Sequence, residues 1–157
     1  MADLPTALVL GRVVEVEISE RGLCARVQRL DRPEGIVTDW VQVASPMAGP
    51  EVGALFAPEV DDLAVLAFAS KSPVILGFLT AGEGGAATQE LTERSLVSRD
   101  RNMVVLIDGD RSGITIRDRH ENEILMTSDG ITIRSKGDLT LEASGKTAIK
   151  GATVELN

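Results

Sequence analysis

The sequence predicts an all-β chain in two parts: a closed barrel of five strands, then a ladder of short strands completed only by further copies of itself. Three observations predict this. Apolar residues recur at a period of two and almost nowhere at a helical period. Residues 1–80 break into five β-branched or leucine-rich runs bounded by Gly, Pro, Asp and Ser. From Met103 to Asn157 a phrase led by glycine repeats.

The first run, residues 7–18, is β-branched and alternates towards its end, and Gly11 inside it predicts a bulge or a sharp coil. Leu23–Leu30, Asp39–Ala44, Leu63–Ala69 and Val74–Leu79 follow. A long coiled strand with four short ones suits a small barrel, because closure removes the edges that an open sheet exposes. Between them, Ser45–Glu59 carries Pro46, Gly49, Pro50, Gly53 and Pro58, which predicts a rigid surface excursion rather than regular structure. The barrel is thus assigned to residues 1–80. Ala81–Thr88, rich in Gly and Ala, reads as a flexible linker, and the polar stretch Gln89–Arg101 as a turn or short helix. Residues 81–102 are assigned as linker and 103–157 as the repetitive part.

In that part, Ser112-Gly113-Ile114-Thr115-Ile116-Arg117 and Asp129-Gly130-Ile131-Thr132-Ile133-Arg134 are near copies. Gly137-Asp138-Leu139-Thr140-Leu141-Glu142 is a third phrase, and Gly145-Lys146-Thr147-Ala148-Ile149-Lys150 a decayed fourth. Their glycines lie 17, 7 and 8 residues apart, which reads as a unit of eight with two units in the first interval. Each unit offers two apolar side chains on one face, too few for a core. A single-chain coil would need about three strands and more than about 18 residues per turn. The stripe is therefore best buried by copies of itself. Three copies around one axis form a prism with Ile114, Ile116, Ile124, Met126, Ile131, Ile133, Leu139, Leu141, Ile149, Val154 and Leu156 inside. Thr, Arg, Lys, Glu and Asp point outward, and glycine serves the corners. Residues 103–157 are expected to have no stable monomeric fold. Seven or eight layers at ~4.8 Å would make a shaft of roughly 35 Å.

Charge narrows the function. Lys and Arg number 16 against 24 Asp and Glu, a net charge of −8, whereas nucleic acids and anionic lipid are bound by cations. Stacking on bases also needs exposed aromatics, and the inventory is Trp40, Phe56, Phe68 and Phe78. Phe68 and Phe78 lie in apolar strands, and Trp40 reads as a core or trimer-interface anchor rather than a ligand platform. No apolar run approaches the roughly 18 residues of a membrane span. Met1–Thr6 lacks the basic start of a secretory signal, so synthesis in a reducing cytoplasm is expected. Cys24, the sole cysteine, reads as a buried small hydrophobe.

No catalytic constellation emerges, so the chain is not expected to be an enzyme or to hold a cofactor or metal. Asp61-Asp62 and Asp108-Gly109-Asp110 read as turns; the second begins like a calcium loop, but Arg119 stands where the bidentate Glu is required. Serines lack a G-x-S-x-G setting. Gly82-Glu83-Gly84-Gly85 is not followed by Lys-Ser/Thr, as a phosphate loop would be. His120 sits in the polar turn Asp118–Asn122 and reads as a surface histidine.

Several phrases resemble a known family. Thr38-Asp39-Trp40-Val41, Pro46-Met47-Ala48-Gly49, Pro58–Phe68 and Pro73–Leu79 resemble the OB-fold domain of phage baseplate assembly protein V and VgrG spikes. The Gly-Ile-Thr-Ile phrases and the ending Gly151–Asn157 resemble the trimeric, intertwined triple-stranded β-helix of the same spikes. The resemblance implies a structural central spike of a contractile phage tail or injection system, capping the tube and piercing the target envelope on contraction. It implies a tube-hub protein at the OB end and transient contact with the target membrane. It further implies a PAAR-repeat tip protein seated on Val154, Glu155, Leu156 and Asn157, where the spike is expected to end bluntly. The particle would act outside the cell once assembled. Residues 80–102 are too short for the peptidoglycan-hydrolysing domain of some relatives, and His-x-His, the iron-binding pattern of others, is missing. The alternative is a soluble trimeric OB-fold module binding nucleic acid or carbohydrate, with a peptidoglycan hydrolase behind it.

Overall fold

The computed structural model describes residues 7–32, 35–69, 72–80, 87–88 and 90–155. The chain divides into two compact units between Ala86 and Ala87. The first contains β1 (Ala7–Ser19), β2 (Gly22–Arg29), β3 (Val41–Val43), β4 (Ala48–Gly49), β5 (Val52–Gly53), β6 (Leu63–Ala69) and β7 (Ser72–Leu79). The second contains β8 (Glu93–Val97), β9 (Met103–Ile107), β10 (Gly113–Arg117), β11 (Glu123–Thr127) and β12 (Gly130–Arg134).

In the first unit β1-β2-β3-β7-β6 close a barrel, antiparallel throughout except for the parallel β3/β7 pair. The five barrel strands fall on the five runs expected. β1 is long because it serves both neighbours: Ala7–Arg12 pair with β6, and Gly11–Ser19 pair with β2. The bulge that lets it coil lies between Val13 and Glu15, not at Gly11. Its cause is a distant partner. Val13 N–H donates to Asp62 O at 3.0 Å, and Asp61 N–H donates to Val13 O at 2.9 Å, so the loop before β6 takes up the backbone groups of the bulged strand. Asp61 adopts φ 75°, and Asp62 closes the loop by accepting Glu59 N–H on its carboxylate at 2.9 Å. The aspartate pair is thus a turn, as its sequence suggested.

Gly11 serves a different purpose. It is buried, and a Cβ there would stand 2.8 Å from Gln28 O and press on the Val27 side chain. Gly11→Ala should therefore destabilise the barrel by about 1–3 kcal/mol, read as a lower urea midpoint with an unchanged slope.

The barrel core is Val13, Ala25, Val27, Val41, Ala64, Leu66 and Ile75, with Val16, Val43, Phe68 and Phe78 packed against it. A chain this poor in aromatics fills a narrow barrel with small and β-branched side chains. Cys24, the third residue of β2, is fully buried, its Sγ 3.8 Å from Ser19 Oγ. Outside, the Arg29 guanidinium lies 4.6 Å above the Phe68 ring and is held by both carboxylate oxygens of Asp31, at 2.8 and 2.6 Å. The excursion over 45–59 is not wholly irregular. β4 and β5 form a two-rung ladder within it, and Ser45 Oγ, with one proton to donate, lies 2.8 Å from Met47 O and 2.7 Å from Ala54 O.

The second unit corrects two expectations. Glu93–Val97, assigned to the linker as a turn or short helix, is strand β8. The 17-residue interval holds an antiparallel strand, β11, rather than two eight-residue units; strands begin at 93, 103, 113 and 123, and then at 130. β8 to β12 pair in sequence order as an antiparallel meander within one chain, because three five-residue returns and a two-residue one before β12 let each strand reach its predecessor. Among the described residues none after Arg134 joins a strand, so the third and fourth phrases have no ladder in their own chain. The Gly/Ala stretch 81–86 lies outside the described residues.

Candidate functional site

The register of the meander sorts its side chains. Directly opposed residues share a face, and the face alternates along each strand. Leu106, Ile114, Met126 and Ile131 therefore form one row across four strands. Leu96, Val104, Ile116, Ile124 and Ile133 form a second row across all five. Arg94 is the sole polar residue in either row, and its guanidinium is paired with Asp108. Among the described residues of the unit this face is left open: Ile133 is 55 % and Ile131 69 % exposed. The opposite face is mixed. Ser95, Thr115, Thr132, Arg117 and Arg134 lie on it, with Arg134 3.1 Å from Glu123, while Val97, Met103, Val105, Ile107 and Leu125 make its β8–β9 side and its middle partly apolar.

Six of the expected shaft residues, Ile114, Ile116, Ile124, Met126, Ile131 and Ile133, are thus brought onto one face. Leu139, Leu141, Ile149 and Val154 are exposed and lie in no strand; Glu155 is exposed as well. Leu156 and Asn157 fall outside the described residues. Leu96, Val104 and Leu106 were missed. They alternate correctly, but neither strand is led by the glycine that marked the other phrases.

The returns between strands are built by side chains. Asp118 Oδ1 accepts His120 N–H at 2.8 Å and Asn122 N–H at 2.9 Å, and Asn122 Nδ2 donates to Asp118 Oδ2 at 2.7 Å. His120 is exposed in this turn, as expected. The Asn122 side chain, with the backbone amides of Asn122 and His120, holds the Asp118 carboxyl below the ordinary carboxylate range, against a partial desolvation. A carboxylate whose folded value is lowered contributes stability above its unfolded value and loses it as pH falls through the folded one. Glu121, 2.8 Å from Lys136, acts in the same sense. Acidification below the carboxylate range should lower the melting temperature of this unit by circular dichroism. Asp118→Asn should flatten that dependence without abolishing it.

On the barrel, Leu23, Val43, Ala44, Pro46, Ala54, Leu55, Phe56, Gly77 and Phe78 line an open depression of about 190 Å³ with no charged group. Phe56 is exposed, Trp40 half-buried, and Phe68 and Phe78 are committed to packing. Arg26 pairs with Glu15 at 2.8 Å, and Arg29 and Arg32 both face Asp31. These three arginines are thus neutralised by carboxylates, unlike the cations of a groove that tracks a nucleic-acid backbone. Among the described residues no three His, Cys, Asp or Glu side chains gather as a metal site would require.

A comparison with curated proteins found no match. A family model does match, that of the type VI secretion system/phage-baseplate injector OB domain, over residues 9–79. The match runs from the third residue of β1 to the last of β7, and so takes in the whole closed barrel with its parallel β3/β7 pair. In sequence, the closed barrel of this chain is similar to the injector OB domain of phage baseplates and type VI secretion systems.

Proposed function

We propose that the chain is the central spike of a contractile tail or injection particle, acting as a homotrimer whose second units close around one axis. The observation that carries this reading is an injector OB domain on the same chain as a sheet with two aligned apolar rows on one uncovered face. In water such a face is costly, and identical copies offer surfaces of the same length, spacing and chemistry. The barrel end would meet a tube-hub protein, and Val154 and Glu155 with the two residues beyond them would seat a PAAR-repeat tip. Axial load during contraction would be spread over backbone ladders that lie across the axis. The role is mechanical, with transient contact to the target envelope.

Light scattering of the purified chain should give the mass of a trimer, and labelled antibody should mark the spike position beneath the baseplate in negatively stained particles. A monomeric mass would sink the proposal.

A further inference from the structure

We infer that opposite charge joins the copies of the second unit at the corners of the trimer: Arg99, Arg119 and Lys136 of one copy face Glu90, Asp110 and Asp129 of the next. The inference rests on the trimer reading above and specifies which ends of the sheets meet.

The returns of the meander alternate between the two ends of its strands. Returns 98–102 and 118–122 and the passage after β12 lie at one end; returns 108–112 and 128–129 and the approach to β8 lie at the other. Successive returns at one end are therefore two strands apart, about 9.6 Å.

At the first end, returns 98–102 and 118–122 share one construction. The first residue's N–H donates to the fifth residue's carbonyl, at 2.8 Å for Ser98 to Asn102 and 3.1 Å for Asp118 to Asn122. The fourth residue's N–H donates back to the first carbonyl, at 2.9 and 3.2 Å, and the fourth residue takes a left-handed backbone, φ 65° at Arg101 and 69° at Glu121. The fifth residue is Asn both times. Its Oδ1 accepts the N–H of the second residue in the next passage at that end: Arg119 on Asn102 at 3.2 Å, Lys136 on Asn122 at 2.9 Å. That second residue is a cation in all three passages, Arg99, Arg119 and Lys136, and each is exposed. The asparagine bonds fix the backbone beneath the last two.

The other end carries acids. Glu90 precedes β8, Asp110 is the middle residue of its return, and Asp129 stands in the two-residue return; all three are exposed. Neither end is of one sign. Arg111 stands among the acids, where Asp108 pairs with Arg94. Among the cations, Asp100 lies 3.6 Å from Arg119 and Glu121 2.8 Å from Lys136, while Asp118 is spent on the amides of its own return. Such exposed pairs are weakly held in water, so both cations can share a further carboxylate.

Threefold rotation joins unlike ends. Each corner sets the cation end of one sheet against the acid end of its neighbour, at equal height along the axis. Because the returns alternate, the two columns are offset by one strand, about 4.8 Å. Asp110 then falls between Arg99 and Arg119 of the adjoining copy, and Asp129 between Arg119 and Lys136. The occupant is a second copy because both halves of the pattern lie on this chain, in matching steps, and a closed ring satisfies each of them.

Asp110→Cys with Arg119→Cys in the full chain tests the geometry. The two positions lie at opposite ends of the strands, roughly 17 Å apart within one chain, beyond the ~7 Å that a disulfide spans between Cα atoms. Cys24 stays in place, since it is fully buried, and is alkylated during denaturation. After oxidation most chains should run as reducible dimers and trimers on a denaturing gel, and Asp110→Cys alone should run as a monomer. Asp110→Lys with Asp129→Lys tests the charge: the concentration of half-dissociation should rise about tenfold or more, and by much less in about 1 M salt. Light scattering of the unmutated chain separates the failures. If it is a trimer, the absence of links, links from Asp110→Cys alone, or a lysine variant that dissociates unchanged or equally at high salt overturns the corner pairing and leaves the spike reading standing. If it is a monomer, both fall.

Discussion

If the second units close around one axis as proposed, Ile133→Asp should convert the trimer into monomers, read as a drop in mass by light scattering and loss of the high-temperature transition. Ile133 is 55 % exposed in the single chain, so on a monomer the substitution would fall within about 0.5 kcal/mol of neutral. In a closed prism three carboxylates would meet in an apolar interior, at a cost of several kcal/mol. The contrast makes the variant decisive. Thr132, its chain neighbour, lies on the opposite face beside Leu125, and Thr132→Asp should leave mass and melting nearly unchanged. An Ile133→Asp protein that remained a stable trimer would mean that the apolar rows face solvent.

Leu66→Ala should produce the largest loss in the barrel, about 2–5 kcal/mol. Leu66 is fully buried at the β6 position opposed to Val9 in β1 and Ile75 in β7, and the strands around it cannot collapse into the space without breaking closure. Trp40, the sole tryptophan, belongs to this unit, so fluorescence in urea follows the barrel specifically. The expected result is an earlier barrel transition with oligomeric mass retained. A shift under 1 kcal/mol would mean that the interior is loosely packed.

The barrel was legible because its signals are local. Period-two alternation and Gly/Pro/Asp punctuation located each barrel strand to within about two residues, and the apolar character of Phe68 and Phe78 correctly placed them against the core. What was not legible depends on distant partners. The bulge at Val13/Glu15 is set by the backbone of Asp61 and Asp62, nearly fifty residues on, so the glycine at 11 was a misleading local cue. Strand β8 was hidden because Arg94 and Ser95 break the apolar alternation and only Leu96 marks the face. The five-residue returns were missed for another reason: their code is a hydroxyl or carboxylate residue followed four places later by Asn, and it is visible only when 98–102 and 118–122 are laid side by side. Six of the expected shaft residues share one face because Gly-Ile-Thr-Ile fixes its own phase in the register. The tail phrases read as strands, yet one chain gives them no neighbour to pair with.

The uniform strand length of the meander has a geometric consequence. Five residues at ~3.4 Å make a wall about 17 Å wide. Were three such walls to close as a triangle, the distance from wall to centre would be roughly 5 Å, about the reach of an isoleucine or methionine side chain. One layer of these residues from each side fills the bore and leaves no lumen. Strands longer by two residues would push the walls out to roughly 7 Å, where the same side chains no longer meet and water could thread the needle lengthwise.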